Sequence, residues 1–279
     1  MNKSIIIAEL ERRKNEAKSE SLASRLCVLA EEVVKVAAEH QKRVAQVMPE
    51  FDLHDEKHLA MVLHNMSCLI GEERVKTLSD VELFLLIASA YLHDCGMAPS
   101  EWELRLMQLT EGTDEYTDSE ESIRNDGKAP YSFSTAKSFI EKSKENIYRK
   151  YEGDVQDWLF SENSENEMAE ALSGLLIDYQ TFRNGYAAEL KACSKPAAFK
   201  KMSQGIRIDY IRRRHPQTSA RYIHNSAPLF HNIIGEAWTD KLVQDLAVIC
   251  QAHGENLNYV KEKLNIDAHR GMEQGAKVL

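Results

Sequence analysis

"AYLHDCGM", residues 90–97, closes the run "VELFLLIASAYL" (residues 81–92), which is apolar on every face of a helix. A helix of that kind is buried all round, yet it ends by placing a histidine and an aspartate side by side. Aspartate is rarely buried unless it is paired or bound to a metal. Either His93 and Asp94 satisfy each other, or the helix end holds something that wants both. Ser79 or Asp80 is placed to cap the start of this helix and Gly96 to stop it.

Outward from this stretch the chain reads as helices. "SLASRLCVLAEEVVKVAAEHQKRVAQVM" (21–48) carries apolar residues at three- and four-residue spacing, with Pro49 after it. "DEKHLAMVLHNMSCLIG" (55–71) is a second helix closed by Gly71, and "SEWELRLMQL" (100–109) follows Pro99. "TEGTDEYTDSEESIRNDGKAP" (110–130) is polar, acidic and rich in turn formers, which predicts an exposed loop. Further helices are expected at about 134–151, 165–192, 217–224 and 239–252. No alternating strand pattern and no repeat is present, so the fold class is all-α.

The composition is that of a soluble domain: 279 residues, net charge −9, 43% hydrophobic and 28% charged. The acidic balance argues against a broad surface that coats nucleic acid, without excluding a local basic pocket. Five cysteines, odd in number and without CxxC spacing, read as reduced core residues in a cytoplasmic protein. The N-terminal apolar run is too short for a signal peptide, and no stretch is long enough to span a membrane.

With ten histidines, about one His-Asp pair is expected by chance, and the chain has His54-Asp55 and His93-Asp94. Only the second ends an apolar helix. Adjacent helical residues lie about 100° apart, so both side chains can reach one ion near the helix end. The plainer alternative is an aspartate that caps or pairs and a satisfied core histidine.

Other histidines add weight to the metal reading. His54 and His58 are four apart, on one face if their helix starts that early. "RRRHPQTSARYI" (212–223) offers His215 before a helix that Pro216 is expected to start. "LAVICQAHGENL" (246–257) repeats the first pattern: an apolar helix runs into His253 and is followed by Gly254. Imidazole and carboxylate together suit zinc, iron, manganese or nickel rather than calcium. Arg212, Arg213 and Arg214 beside His215 have the planar fork that suits phosphate, against the alternative of a solvated basic face. His64, six residues after His58, faces elsewhere on the helix, and His40, His224, His231 and His269 show no supporting pattern.

"HDEKHLAMV", "AYLHDCGM", "RRRHPQTSARYI" and "ICQAHGENL", in this order, resemble the HD superfamily of metal-dependent phosphohydrolases over roughly residues 50–260. The insertion and the "ICQAHGE" ending are most similar to its HD-CE subgroup, whose members are often fused to a GHKL-type ATPase and act as bacterial anti-phage conflict effectors. The resemblance implies an HD-like helical bundle with a core at about 50–97 and 206–260 and a helical insertion at about 98–205. It implies one or two divalent transition-metal ions. His58, His93 and Asp94 would hold the first, and His215 and His253 the second, with Asp94 bridging. His54 would contact substrate or stand in for His58. The implied activity is hydrolysis of a phosphoester of a nucleotide, another phosphorylated small molecule or nucleic acid by a metal-activated water, with Asp94 and His54 as catalytic groups and Arg212, Arg213 and Arg214 on the phosphate.

One departure stands out. The family closes its first site with an aspartate in an apolar "ADxLD"-like helix, and "NIDAHRGMEQGAKVL" (265–279) has none; Asp267 lies in a polar stretch. The expectation is a chain that stops before that helix. This keeps a second reading open: a catalytically incomplete nucleotide-sensing or protein-interaction module of a larger ATPase-fused protein. A third, a zincin-like use of "HDEKH", fits poorly because Asp is shorter than the Glu of H-E-x-x-H and the preceding residues are not an apolar helix.

Overall fold

The computed structural model describes residues 4–17, 20–48, 56–111 and 165–264. The expected loop at 110–130, the helix at 134–151, His54, Asp55, Asp267 and His269 lie outside the described residues, apart from Thr110 and Glu111. Every regular element among the described residues is helical, and no strand occurs among them. The helices are α1 Ile5–Glu16, α2 Leu22–Val47, α3 Glu56–Ile70, α4 Glu72–Val75 and α5 Asp80–Leu92, followed by a 3-10 turn at Cys95–Met97. Then come α6 Glu101–Glu111, α7 Glu165–Asn184, α8 Ala187–Ala192, α9 Pro196–Asn225, α10 Ala227–Ile234, α11 Glu236–Ala252 and α12 Leu257–Lys263. No helix among the described residues is long and apolar enough to cross a membrane.

Contacts divide the chain into two compact units, 1–98 with 215–279, and 99–214. The axis of the first is α5, whose residues Val81 to Leu92 are all buried. Helices α1, α2, α3 and α11 each pack against it, which is why this helix can be apolar on every side. Burial of each Leu, Ile or Phe along it contributes about 1.5–3 kcal/mol. Ser79 starts α5 with a reciprocal box: its hydroxyl accepts from the Glu82 amide at 3.2 Å, and its amide donates to the Glu82 carboxylate at 2.6 Å. Helix α2 lays Leu26, Leu29, Val33, Ala37 and Val44 into the same core. The Ser4 hydroxyl caps α1, a helix that the sequence reading passed over as an N-terminal segment.

The second unit contains α6, α7, α8 and α9 as far as Arg214. Leu190, Phe199 and Ile206 form an apolar cluster here, with Phe182, Tyr186 and Met202 against it.

Two expectations are corrected. Pro216 does not start a helix: α9 runs unbroken from Pro196 to Asn225 with Pro216 inside it. Tertiary packing overrides the proline's cost of one missing N–H in the ladder. Nor are all the cysteines core residues. Cys27, Cys95 and Cys250 are buried, but Cys68 is exposed and Cys193 partly so; all five are free thiols.

Candidate metal centre

His93 is the residue that ends α5, and Asp94 follows it into the turn. Three contacts from other elements hold this turn. The Ser219 hydroxyl, on α9, donates to the His93 carbonyl at 2.7 Å and accepts from the Gly96 amide at 2.9 Å. From α2, His40 Nε2 meets the Cys95 carbonyl at 2.7 Å. Gly96 is needed for close approach and not for a left-handed backbone. A Cβ there would lie 2.3 Å from the His215 carbonyl oxygen and 2.7 Å from the Ser219 amide nitrogen. The other helix-ending glycine does the same: a Cβ at Gly254 would lie 2.2 Å from Cγ of Pro216. The "HDCG" and "HGE" glycines thus let α9 press against both histidine-bearing helix ends.

Four imidazoles converge on the two oxygens of Asp94. Oδ2 lies 3.1 Å from His93 Nε2 and 3.7 Å from His58 Nε2. Oδ1 lies 3.3 Å from His215 Nε2 and 3.4 Å from His253 Nε2. The donors form two groups, His58–His93–Asp94 and Asp94–His215–His253, each with its atoms within 4.8 Å of one another and with Asp94 in both. The Asp94 side chain is 9% exposed, against 34% for His58, so the carboxylate lies below and a histidine at the rim.

Second contacts select the ring tautomers. His93 Nδ1 faces the Ala90 carbonyl at 3.1 Å, and His253 Nδ1 faces the Cys250 carbonyl. A carbonyl only accepts, so each Nδ1 carries a proton and each Nε2 is the nitrogen turned toward Asp94, able to donate to it when protonated or to give a lone pair to a metal. Both bonds reach three residues back along a helix end, so one local device is used twice. His215 Nε2 and His253 Nε2 lie 2.7 Å apart, with Asp94 Oδ1 beside both. Two imidazole nitrogens and a carboxylate oxygen at such spacing need a proton or a metal cation among them.

Donors bound to one ion at about 2.1 Å sit roughly 3.0–3.4 Å from one another, close to the separations here. The four imidazoles and one carboxylate fit a divalent transition metal in chemistry and spacing. Burial pushes the Asp94 carboxyl up, but contacts with His215, His253 and His93 outweigh it and hold it well below the usual carboxylate range. Burial lowers His253, while Asp94 and the Cys250 carbonyl raise it further. The neighbouring thiols belong to neither donor group: Cys95 Sγ faces the Ser219 carbonyl and Cys250 Sγ the Ser89 carbonyl, and burial raises both above the usual thiol range.

A profile of the HD-CE family matches residues 48–278. The chain belongs to the HD-CE family. Comparison with curated proteins and with solved structures gave no match.

Of the residues singled out from this HD-CE sequence, His58, His93, Asp94, His215 and His253 come together. Arg213 and Arg214 are engaged with carboxylates of their own unit: Arg213 bonds to Asp209 at 3.0 Å and Arg214 to Asp178 at 2.6 Å. Arg212 is exposed on the same helix. His64 is on the outer face of α3, where it meets Cys68 at 3.6 Å. Glu255 accepts from Gln217 at 2.7 Å and Gln251 at 3.2 Å, tying the turn after His253 to α9.

His40 and Ser219 were missed by the sequence reading. Both had a signal. His40 continues the buried stripe of Val33, Ala37 and Val44 on α2, and Ser219 lies one turn beyond His215, on the same face.

Proposed function

We propose that this HD-CE chain is a metal-dependent phosphohydrolase that cleaves a phosphoester of a nucleotide or nucleic acid. The observation that carries the reading is the division of Asp94: each carboxylate oxygen faces its own pair of imidazoles. When bound, divalent cations supply Lewis-acid stabilisation of phosphoryl charge and an acidified water.

The protein's own share is positional. His58, His93 and Asp94 would hold one ion, and Asp94, His215 and His253 the other. The backbone carbonyls of Ala90 and Cys250 accept from Nδ1 of His93 and His253, which aims each Nε2 inward as the nitrogen that would bind an ion. Helix α5, buried on all sides, fixes the doublet to its scaffold. His58 and His253, the more exposed of the ligands at 34% and 29%, leave the rim from which a substrate phosphate can approach. The pairing of Arg213 and Arg214 with Asp209 and Asp178 favours the solvated-face reading of those two arginines, so phosphate charge falls chiefly to the ions.

Elemental analysis of the purified chain, beside a His93→Ala/Asp94→Ala variant, tests this. One or two transition-metal ions per chain, lost in the variant, followed by turnover in a phosphoester screen, is the expected result. Metal without turnover of any phosphoester would leave the nucleotide-sensing or interaction module as the better description. A chain that takes up no zinc, iron, manganese or nickel refutes the metal centre.

A further inference from the structure

The second unit buries a guanidinium that its described side chains do not satisfy. Arg183, on α7, is 4% exposed, and its Nε and Nη2 have no hydrogen-bond partner among the described residues. These two nitrogens form one edge of the guanidinium, the edge that grips two oxygens of one anion side by side. Its Cζ lies 5.9 Å from the centroid of the Phe199 ring. Ser203 on α9 is fully buried, and its hydroxyl also has no partner among the described residues.

What links the two orphans is Phe199: Arg183 Cζ lies over its ring, and Ser203 is one turn further along α9. Helices α7 and α9 run antiparallel in this unit: Asp178 meets Tyr210 and Arg214, while Arg183 meets Phe199. Tyr179 and Arg207 meet at Glu111, with bonds of 2.5 and 2.6 Å. One turn forward on α7 is Arg183, and one turn back on α9 is Ser203. Phe199, Ser203 and Arg207 follow one another at four-residue steps on the face of α9 turned to α7. Glu111, a buried carboxylate of this unit, is bonded to Tyr179 and Arg207.

Buried polar atoms are paired in the great majority of proteins, and a buried charge without a counter-charge costs several kcal/mol. We infer that Arg183 and Ser203 form a binding site for a phosphate group. The arginine edge takes two oxygens and the serine hydroxyl a third. Three donors from two helices suit a tetrahedral oxyanion better than a planar carboxylate. This site is separate from the metal centre and does not depend on its chemistry.

The test uses the full chain stripped of metal with a chelator, which removes the metal cluster as a competing phosphate site. Inorganic phosphate is the probe, against chloride at equal ionic strength, followed by thermal unfolding and calorimetric titration. Wild type and His93→Ala should each bind one phosphate per chain and gain several degrees in Tm. Arg183→Lys keeps the charge but lacks the two-nitrogen edge, and should bind about tenfold more weakly. Ser203→Ala should lose affinity several-fold. Arg183→Met should unfold no earlier than wild type in phosphate-free buffer, because it removes a buried charge, and should no longer respond to phosphate. Adenosine monophosphate run in parallel separates the sources: a response to inorganic phosphate alone assigns free phosphate, and a response to both assigns a phosphate carried on a larger molecule. No response of wild type to either, or an undiminished response in Arg183→Lys and Arg183→Met, overturns the site.

Discussion

Each unit of the chain buries a carboxylate, and the two are satisfied in opposite ways. Glu111, in the second unit, has no exposed surface and is bonded to Arg207 and Tyr179. Its partners are a permanent cation and a phenol that burial and the Glu111 charge keep protonated. Asp94, in the first unit, is surrounded by four imidazoles, none of which is a permanent cation. Glu111 is complete without any visitor, whereas Asp94 and its ring nitrogens are complete only around added positive charge. A closed network of the first kind holds a fold together, and an open one of the second kind binds and reacts.

Replacing each carboxylate by its amide breaks the comparison most directly. Asp94→Asn removes the only group shared by both donor sets. Transition-metal content should fall to background, and phosphoester turnover should drop on the order of a thousandfold or more. Glu111→Gln should do neither. It strands Arg207 in the interior and should cost about 3–5 kcal/mol in denaturant unfolding. Metal retained by Asp94→Asn, or metal lost in Glu111→Gln, would erase the distinction between the two clusters.

The next largest effect concerns how the open cluster is held. Gly96→Ala would put a methyl 2.3 Å from the His215 carbonyl oxygen, backbone that cannot swing aside. Overpacking of this kind costs about 1–3 kcal/mol, and here it wedges the Asp94 turn away from the helix carrying His215. Metal affinity, read by competition with a chelating dye, should fall about 10–100-fold. Gly254→Ala meets first the ring carbons of Pro216 and not a backbone oxygen, so its effect should be smaller; an equal loss would show that the His253 end is held just as rigidly.

How much of this was legible in the sequence follows from the range of each interaction. His93 and Asp94 could be found because a polar pair at the end of "VELFLLIASAYL" contradicts its local setting. His253 could be found because it repeats that setting. The course of α9 could not be, because Pro216 reads locally as a helix start, whereas the helix runs through it, packed against Gly96 and Gly254 from distant parts of the chain. The glycines were noticed for the wrong reason: they read as helix stops and turn out to be places of close approach. Ser219 and His40 hold backbone atoms 123 and 55 residues away, and no local pattern encodes those partners. Helix α1 was passed over because its short apolar start was weighed only as a targeting signal; its place against α2 and α5 is a tertiary fact.

Ser219→Ala tests that backbone clamp with a smaller change than Gly96→Ala. It leaves the Gly96 amide without its acceptor and the His93 carbonyl without this donor. The expected cost is about 1–3 kcal/mol in denaturant unfolding, with metal binding weakened but not lost. A variant as stable as wild type would mean that the turn is held by His40 and the helix packing alone.

The smallest effect sets a third carboxylate beside the first two. Glu9 is buried on α1 and bonded to Arg12 and Arg13, with Arg13 extended to Asp80 at 2.9 Å. Arg12 foremost, and then Arg13, outweigh burial and hold its carboxyl down at about 2, from an ordinary 4.5. A carboxyl lowered by folding stabilises the fold above its unfolded value, and that contribution is lost as pH falls through its folded value. Glu9 should therefore contribute fully above about pH 4.5 and fade between there and about 2. The contribution is modest, because Arg12 is half exposed and solvent screens it. Glu9→Gln should lower stability at neutral pH and flatten the wild-type decline across the acid window, in metal-free and metal-loaded protein alike. That indifference to metal separates a carboxylate closed by permanent cations from Asp94: a Glu9→Gln effect that appeared only with metal bound would tie the α1 ion pairs to the metal centre, against the division drawn here.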